Sequence, residues 1–350
     1  MDTRILVPLD GSERAERAVP VAERVARNSG AGSHITLLQV VSRPAPLSGA
    51  YAPQVPPAPW MQQDVAAARA YLAHVAGWPL LADLSVETRV EIGGAPTAVI
   101  LDVAEAEGSD LILICSHGRA GAAHWLLGSV AEQVARHASM PVLVLREQEA
   151  APIGAREQPL RALVPLDGSS LGETVLAPVA TLMLVLAGLS QAVIHLVMVL
   201  PPSDADPAIV PEHPTLRSAR IYLMRVADRL RAIYPRLEVG WSIVPGHDTA
   251  RALLRVIETG GSAGPSAVSY GYDLIAMATH GRSGVAHWAF GSVTEHMLQH
   301  THLPLLVVPP RAPDAKEAAR RAKQPHAAME LAEPIHVAPG EAESLWTPLF

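Results

Sequence analysis

The sequence predicts an α/β protein of two tandem domains, each a five-stranded parallel sheet with helices on both faces. Three observations carry the prediction. The chain repeats itself: Leu6 to Ser12 reads LVPLDGS and recurs letter for letter from Leu163 to Ser169, and the sixteen residues from His117 recur from His280 with eleven identities. A length of 350 residues suits two domains that each bury a core. Within each copy, short apolar runs alternate with stretches of helical spacing, and that alternation makes the strands parallel and covers both sheet faces with helices. The boundaries expected are domain one at 1–147, a linker at 148–159, domain two at 160–310 and a disordered tail at 311–350, where the chain turns charged, proline-rich and aperiodic.

The elements of copy one follow in order. Arg4 to Leu9 is an apolar run ending in Asp-Gly-Ser, a buried strand followed by a turn and a helix start. Ser12 to Arg27 has helical spacing, His34 to Val41 is the second strand, and a proline-rich loop runs from Pro44 to Pro59. A helix at Asp64 to Ala76, a strand at Ser85 to Ile92 and a helix at Ala95 to Glu107 follow. Leu111 to Cys115 is the fourth strand, Gly128 to His137 the last helix and Pro141 to Leu145 the last strand. Copy two repeats the series, with its own proline-rich loop from Pro201 to Pro214 and an insertion near Gly260 to Tyr270.

Val175 to Leu200 carries no Asp, Glu, Lys or Arg and is long enough to span a bilayer. The repeat resolves it instead into the first helix and second strand of copy two, so no membrane span is expected. Its substitutions are informative: Glu23, Arg24, Arg27 and Asn28 of copy one become Thr181, Leu182, Val185 and Leu186. Leu182, Val185, Leu186 and Leu189 lie at helical spacings that form an apolar stripe, which marks an interface when left in water. The expectation is a homodimer packed through the helix around Leu182 and Leu186.

Composition excludes several classes. The only lysines are Lys316 and Lys323, so the body of the chain supplies neither the lysine of a Walker A loop nor an amine for Schiff-base chemistry. A net charge of -7 without a local basic stripe argues against nucleic acid. The single cysteine, Cys115, makes no intramolecular disulfide, and with no leader-like segment ahead of the first strand the expected location is cytoplasmic. His296, His300 and His302 lie at helical spacing, but copy one has Gln133, His137 and Ser139 there, and no metal site is expected. The repeated His117/His280 and His124-Trp125/His287-Trp288 read as packing and loop hydrogen bonds, since no nucleophile or paired carboxylate accompanies them. No catalytic residue is expected.

The strongest constellation is Gly118, nine residues, then Gly128-Ser129, repeated as Gly281, nine residues, then Gly291-Ser292. Gly118 follows the fourth strand at the edge where an open parallel sheet offers its crevice. Gly128-Ser129 opens a helix whose free amides and positive dipole end accept phosphate without a lysine. Asp10 and Asp167, at the end of the first strand, share that edge and read either as acceptors for ribose or base donors or as turn and cap residues. Arg119 and Arg282 follow the first glycine and read either as phosphate partners or as solvated loop cations.

These residues resemble the universal stress protein family in its tandem form, over roughly residues 3 to 146 and 160 to 309. The resemblance implies two Rossmann-like domains of the adenine nucleotide alpha hydrolase type, related by an approximate two-fold, with the last strands Pro141 to Leu145 and Pro304 to Val308 pairing across it. The family's ATP-binding members carry Gly-x-x-Gly, nine residues, Gly-Ser/Thr; here the first glycine is replaced by Cys115 and by Ala278, where a Cβ would crowd a nucleotide. The resemblance adds backbone contacts from Val40 and Val199 to adenine. The function expected is that of a stress-response sensor binding ATP, with or without Mg²⁺, and lacking efficient catalysis. A scaffold protein with vestigial pockets is the alternative.

Overall fold

The computed structural model describes residues 2–42, 59–116, 128–146, 153, 159–202, 214–260, 271–279 and 290–310. Most of the two proline-rich loops, Gly118, Arg119, Gly281, Arg282, the His-Trp pairs, the insertion after Gly260 and the 311–350 tail lie outside the described residues. Copy one contributes β1 (Arg4–Pro8), α1 (Glu13–Glu16), α2 (Ala18–Asn28), β2 (His34–Ser42), α3 (Pro59–Ala76), β3 (Ser85–Gly93), α4 (Pro96–Glu107), β4 (Leu111–Cys115), α5 (Ser129–His137) and β5 (Val142–Leu145). Copy two contributes β6 (Leu160–Pro165), a 3-10 turn (Gly172–Val175), α6 (Leu176–Ala187), β7 (Ala192–Leu200), α7 (Pro214–Ile233), β8 (Leu237–Pro245), α8 (Thr249–Thr259), β9 (Leu274–Ala278), α9 (Ser292–His300) and β10 (Leu305–Val308).

All ten strands join one sheet in the order β3-β2-β1-β4-β5-β10-β9-β6-β7-β8. Among the described residues the strands within each half are parallel, and the single antiparallel contact joins β5 to β10. The register there is Val142 with Val307, Leu143 with Leu306 and Val144 with Leu305. Leu143 and Leu306 are equivalent positions of the two copies, so the pseudo-two-fold axis passes through that pair.

Strand side chains alternate between two cores. Ile5 and Val7 of β1 enter a core roofed by α2, α3, α6 and α7, whereas Leu6 enters one roofed by α4, α5, α8 and α9. Burial on both faces explains why the strands read as continuous apolar runs.

The apolar stripe of α6 is not free to receive a second chain. Leu182 and Leu186 are buried within this one, at 6% and 0% exposure. The antiparallel junction makes the sheet continuous, and α6 therefore packs on α2 across the axis. Arg24 Nε donates to the Leu186 carbonyl and Asn28 Nδ2 donates to the Val185 carbonyl at 2.9 Å. The stripe expected to make a homodimer is an intrachain seam, and of its four residues only Leu189 stands fully in solvent.

Candidate functional site

In each half the strand order reverses at the first strand, so helices leave its carboxyl end and that of the fourth strand on opposite faces and a crevice opens between them. Asp10 follows β1 at this edge. Its Oδ1 accepts from the Ser12 amide at 3.0 Å and the Ser12 hydroxyl at 2.6 Å, and Ser12 Oγ accepts from the Ala15 amide at 3.2 Å. Asp167 does the same for Ser169, whose Oγ accepts from the Gly172 amide at 2.9 Å. Gly11 and Gly168 hold φ of 81° and 82°, a region L side chains rarely enter, which is why the turn repeats with glycine. The Asp-Gly-Ser motif is thus a capped turn, and the same turn places each carboxylate at the sheet edge.

Val40 and Val199 reach that edge from β2 and β7. The Leu9 amide donates to the Leu38 carbonyl at 2.7 Å and the Leu166 amide to the Val197 carbonyl at 2.8 Å. Alternate residues of a parallel strand direct their amide groups to the same neighbour. Two residues on, the backbones of Val40 and Val199 therefore point past the end of the adjoining strand into the opening.

On the other side, the Gly128 amide donates to the Ser116 carbonyl, and the Gly291 amide to the Thr279 carbonyl at 2.8 Å. These bonds tie the helix starts to the ends of β4 and β9 and take the glycines' own amides out of play. The first helical bonds run from Glu132 to Gly128 and from Glu295 to Gly291, both at 3.0 Å, and neither helix has a side-chain cap. That leaves the amides of Ser129, Val130 and Ala131, and of Ser292, Val293 and Thr294, without an intrahelical carbonyl. Gly128 sits at φ −62° and Gly291 at φ −60°, conformations any residue adopts, and among the described residues a Cβ on Gly291 would meet the Thr279 carbonyl at 3.4 Å. Backbone strain does not call for glycine here.

Cys115 turns its side chain away from the fourth-strand helix starts. Its Sγ lies 3.7 Å from the Ala15 carbonyl on the α1 side, and burial pushes the thiol up to about 12. The extra atoms at the missing glycine are taken up by the α1 side of the sheet.

One repeated pair, a tyrosine on α3 and another on α7, is not singled out by the motif spacing. Arg69-Ala70-Tyr71-Leu72 recurs as Arg220-Ile221-Tyr222-Leu223, a signal present in the repeat. Both tyrosine hydroxyls are enclosed, and Tyr222 is held above its ordinary pKa by burial, then by the charges of Glu173 and Asp167. The halves also touch near α9: Arg136 of α5 stands 4.9 Å from the ring centroid of Phe290, the residue before Gly291, and lies 3.4 Å from Glu295. Copy two has Gln299 where copy one has Arg136.

A second polar cluster lies inside the sheet. His195 of β7 has Nε2 2.9 Å from Ser242 Oγ and Nδ1 bonded to the Tyr272 hydroxyl. Burial, aided by the Arg161 charge, lowers its pKa to about 4. Four residues before Val199, it is roughly 13 Å from the edge and outside the crevice. Among the described residues no three His, Cys, Asp or Glu side chains gather as a metal site, and no helix is long and apolar enough to cross a membrane.

The universal stress protein family model matches residues 1–146 and 160–309. A universal stress protein of Mycobacterium tuberculosis H37Rv is 25% identical over 230 residues, 64% of this chain and 69% of that protein. One from Mycolicibacterium smegmatis is 39% identical over 95 residues, so the match spans 26% of this chain and about a third, 31%, of that relative. Among solved structures, a universal stress protein from Archaeoglobus fulgidus superposes with a TM-score of 0.58 at 18% identity, covering 88% of this chain and 98% of that one. A counterpart from Pseudomonas aeruginosa UCBPP-PA14 gives 0.55 at 16% identity over 89% and 94%. At these identities the structural likeness concerns the fold.

Proposed function

Because the chain belongs to the universal stress protein family, matched by both of its halves, we propose that it binds adenine nucleotide, ATP with Mg²⁺, at the two crevices and works as a cytoplasmic stress-response sensor or regulator without efficient catalysis. The observation that carries this reading is the coincidence, at each sheet edge, of the Asp10 or Asp167 turn, the backbone of Val40 or Val199, and the uncapped start of α5 or α9. The donor set suits a polyphosphate: helix-start amides supply hydrogen bonds and a positive dipole end without a lysine. Gly118 with Arg119, and Gly281 with Arg282, would close the phosphate side from the loops. The helix-start amides would position the phosphates, and no group among the described residues is placed to orient a water, so hydrolysis should stay below the ordinary enzymatic range of about 1 per second.

The scaffold reading draws on the Asp10 and Asp167 carboxylates already serving their serines and on Cys115 and Ala278 at the first-glycine position. Mass spectrometry of the supernatant after denaturing the purified protein, with calorimetric titration of MgATP, separates the two. Retained nucleotide or saturable heat that Gly128→Glu halves in stoichiometry supports binding. Empty protein with no heat at millimolar ATP leaves the scaffold.

A further inference from the structure

On the footing of the nucleotide reading above, we propose that Arg136 is a positioning residue shared by both crevices. Reaching from α5 to α9, it neutralises the carboxylate in the first turn of each phosphate-receiving helix, and so sets the anion affinity of two sites with one side chain.

Each helix start carries a conflict of charge. Glu132 is the acidic residue in the first turn of α5, and Glu295 the one in the first turn of α9. A carboxylate there stabilises the positive end of an empty helix, but the same charge repels a phosphate brought to the free amides. Without a counter-charge, what favours the helix opposes the ligand.

Arg136 removes that conflict on both sides of the junction. Its Nη2 lies 2.8 Å from Glu132 Oε1, one turn back on its own helix, and 3.4 Å from Glu295 Oε1 in the other half. The guanidinium is steadied by Phe290, whose ring centroid is 4.9 Å away and which directly precedes Gly291. With the arginine side chain only 24% exposed, salt screens these contacts incompletely. Among the described residues it is the one cation within ion-pair distance of either carboxylate. The repeat shows that the device is single: both glutamates recur at equivalent positions, whereas the counterpart of Arg136 is Gln299. Two acids are present and their cation is not duplicated, so one arginine serves both. Its loss would expose a carboxylate in each crevice at once, although the residue belongs to the first half.

The test is calorimetric titration of MgATP into the full chain and its variants at low ionic strength. The parent should bind two nucleotides per chain. Arg136→Gln, which copies the residue of the other repeat, should keep that stoichiometry and weaken both sites about three- to tenfold, while Arg136→Lys, which keeps the charge, should stay within about twofold of the parent. In the Arg136→Gln background, Glu132→Gln should return one site to the parent affinity, Glu295→Gln the other, and the two together both. A merely structural contact would show no such recovery, because a broken bridge is not mended by removing its other partner. All three side chains are partly exposed, and circular dichroism should show each variant folded as the parent. Unchanged affinity in Arg136→Gln, a loss at one site alone, or a loss that removing the carboxylates does not recover overturns the shared role and leaves nucleotide binding standing. A parent that gives no heat with MgATP overturns the nucleotide reading, and this role with it.

Discussion

His195 is a histidine that the fold keeps neutral. With a free value near 6.5 and a folded value of about 4, the ring is uncharged in both states above pH 6.5. Between the two values the unfolded chain takes a proton that the folded chain refuses. Stability therefore falls as pH drops through that window, by about 3 kcal/mol in total. Urea unfolding at pH 7 and pH 4.5 should show this loss in the parent and a smaller one in His195→Gln; equal losses would place the pH dependence elsewhere. Cys115 gives a second residue-scale expectation. A thiol raised from 9.0 to about 12 should react with a thiol reagent at pH 8 roughly three orders of magnitude more slowly than in urea, and comparable rates would mean an accessible thiolate. Asp10 is legible in the sequence with two roles open to it, because the serine that satisfies it is two residues away in the chain. Tyr222 was not legible in the same way, since what its hydroxyl meets depends on how α7 docks on the sheet.

At the scale of elements, strands were the most readable. Leu111 to Cys115 was expected and found with the same ends, because a strand buried on both faces is bounded wherever polar residues resume. Helices were read less finely. Ser12 to Arg27 breaks at Arg17, whose amide bonds to the Arg14 carbonyl at 3.3 Å and so closes a tighter turn before α2 begins. The start of α9 carries a direct prediction. Gly291→Ala adds a methyl group in ordinary contact at an unstrained φ, so the melting temperature should move by only a few degrees. If the helix start receives phosphate, the same methyl lowers nucleotide affinity. A variant that melts far earlier would show that glycine serves the fold instead.

For the whole molecule, the continuous sheet decides which surfaces exist. The sequence showed that the side of α6 equivalent to charged positions in copy one is apolar, but whether such a side meets water or protein is a property of how two domains join, which no periodicity encodes. Leu186 is now a core residue. Leu186→Ala should cost about 2–5 kcal/mol, read by chemical denaturation, and light scattering should report the same oligomeric state as the parent. A dissociated assembly with undiminished stability would restore the intermolecular reading.

The seam between α2 and α6 has a bearing on which molecules could replace it. Arg24 and Asn28 give hydrogen bonds to the last carbonyls of α6, while their counterparts Leu182 and Leu186 have no donor to return. Two copies of the second half, joined in the same way, would bury helix ends with nothing to satisfy them. The second half has come to depend on the first. The duplication that made the chain symmetrical has therefore been followed by a loss of interchangeability, and the covalent connection guarantees the one pairing in which both surfaces are complementary.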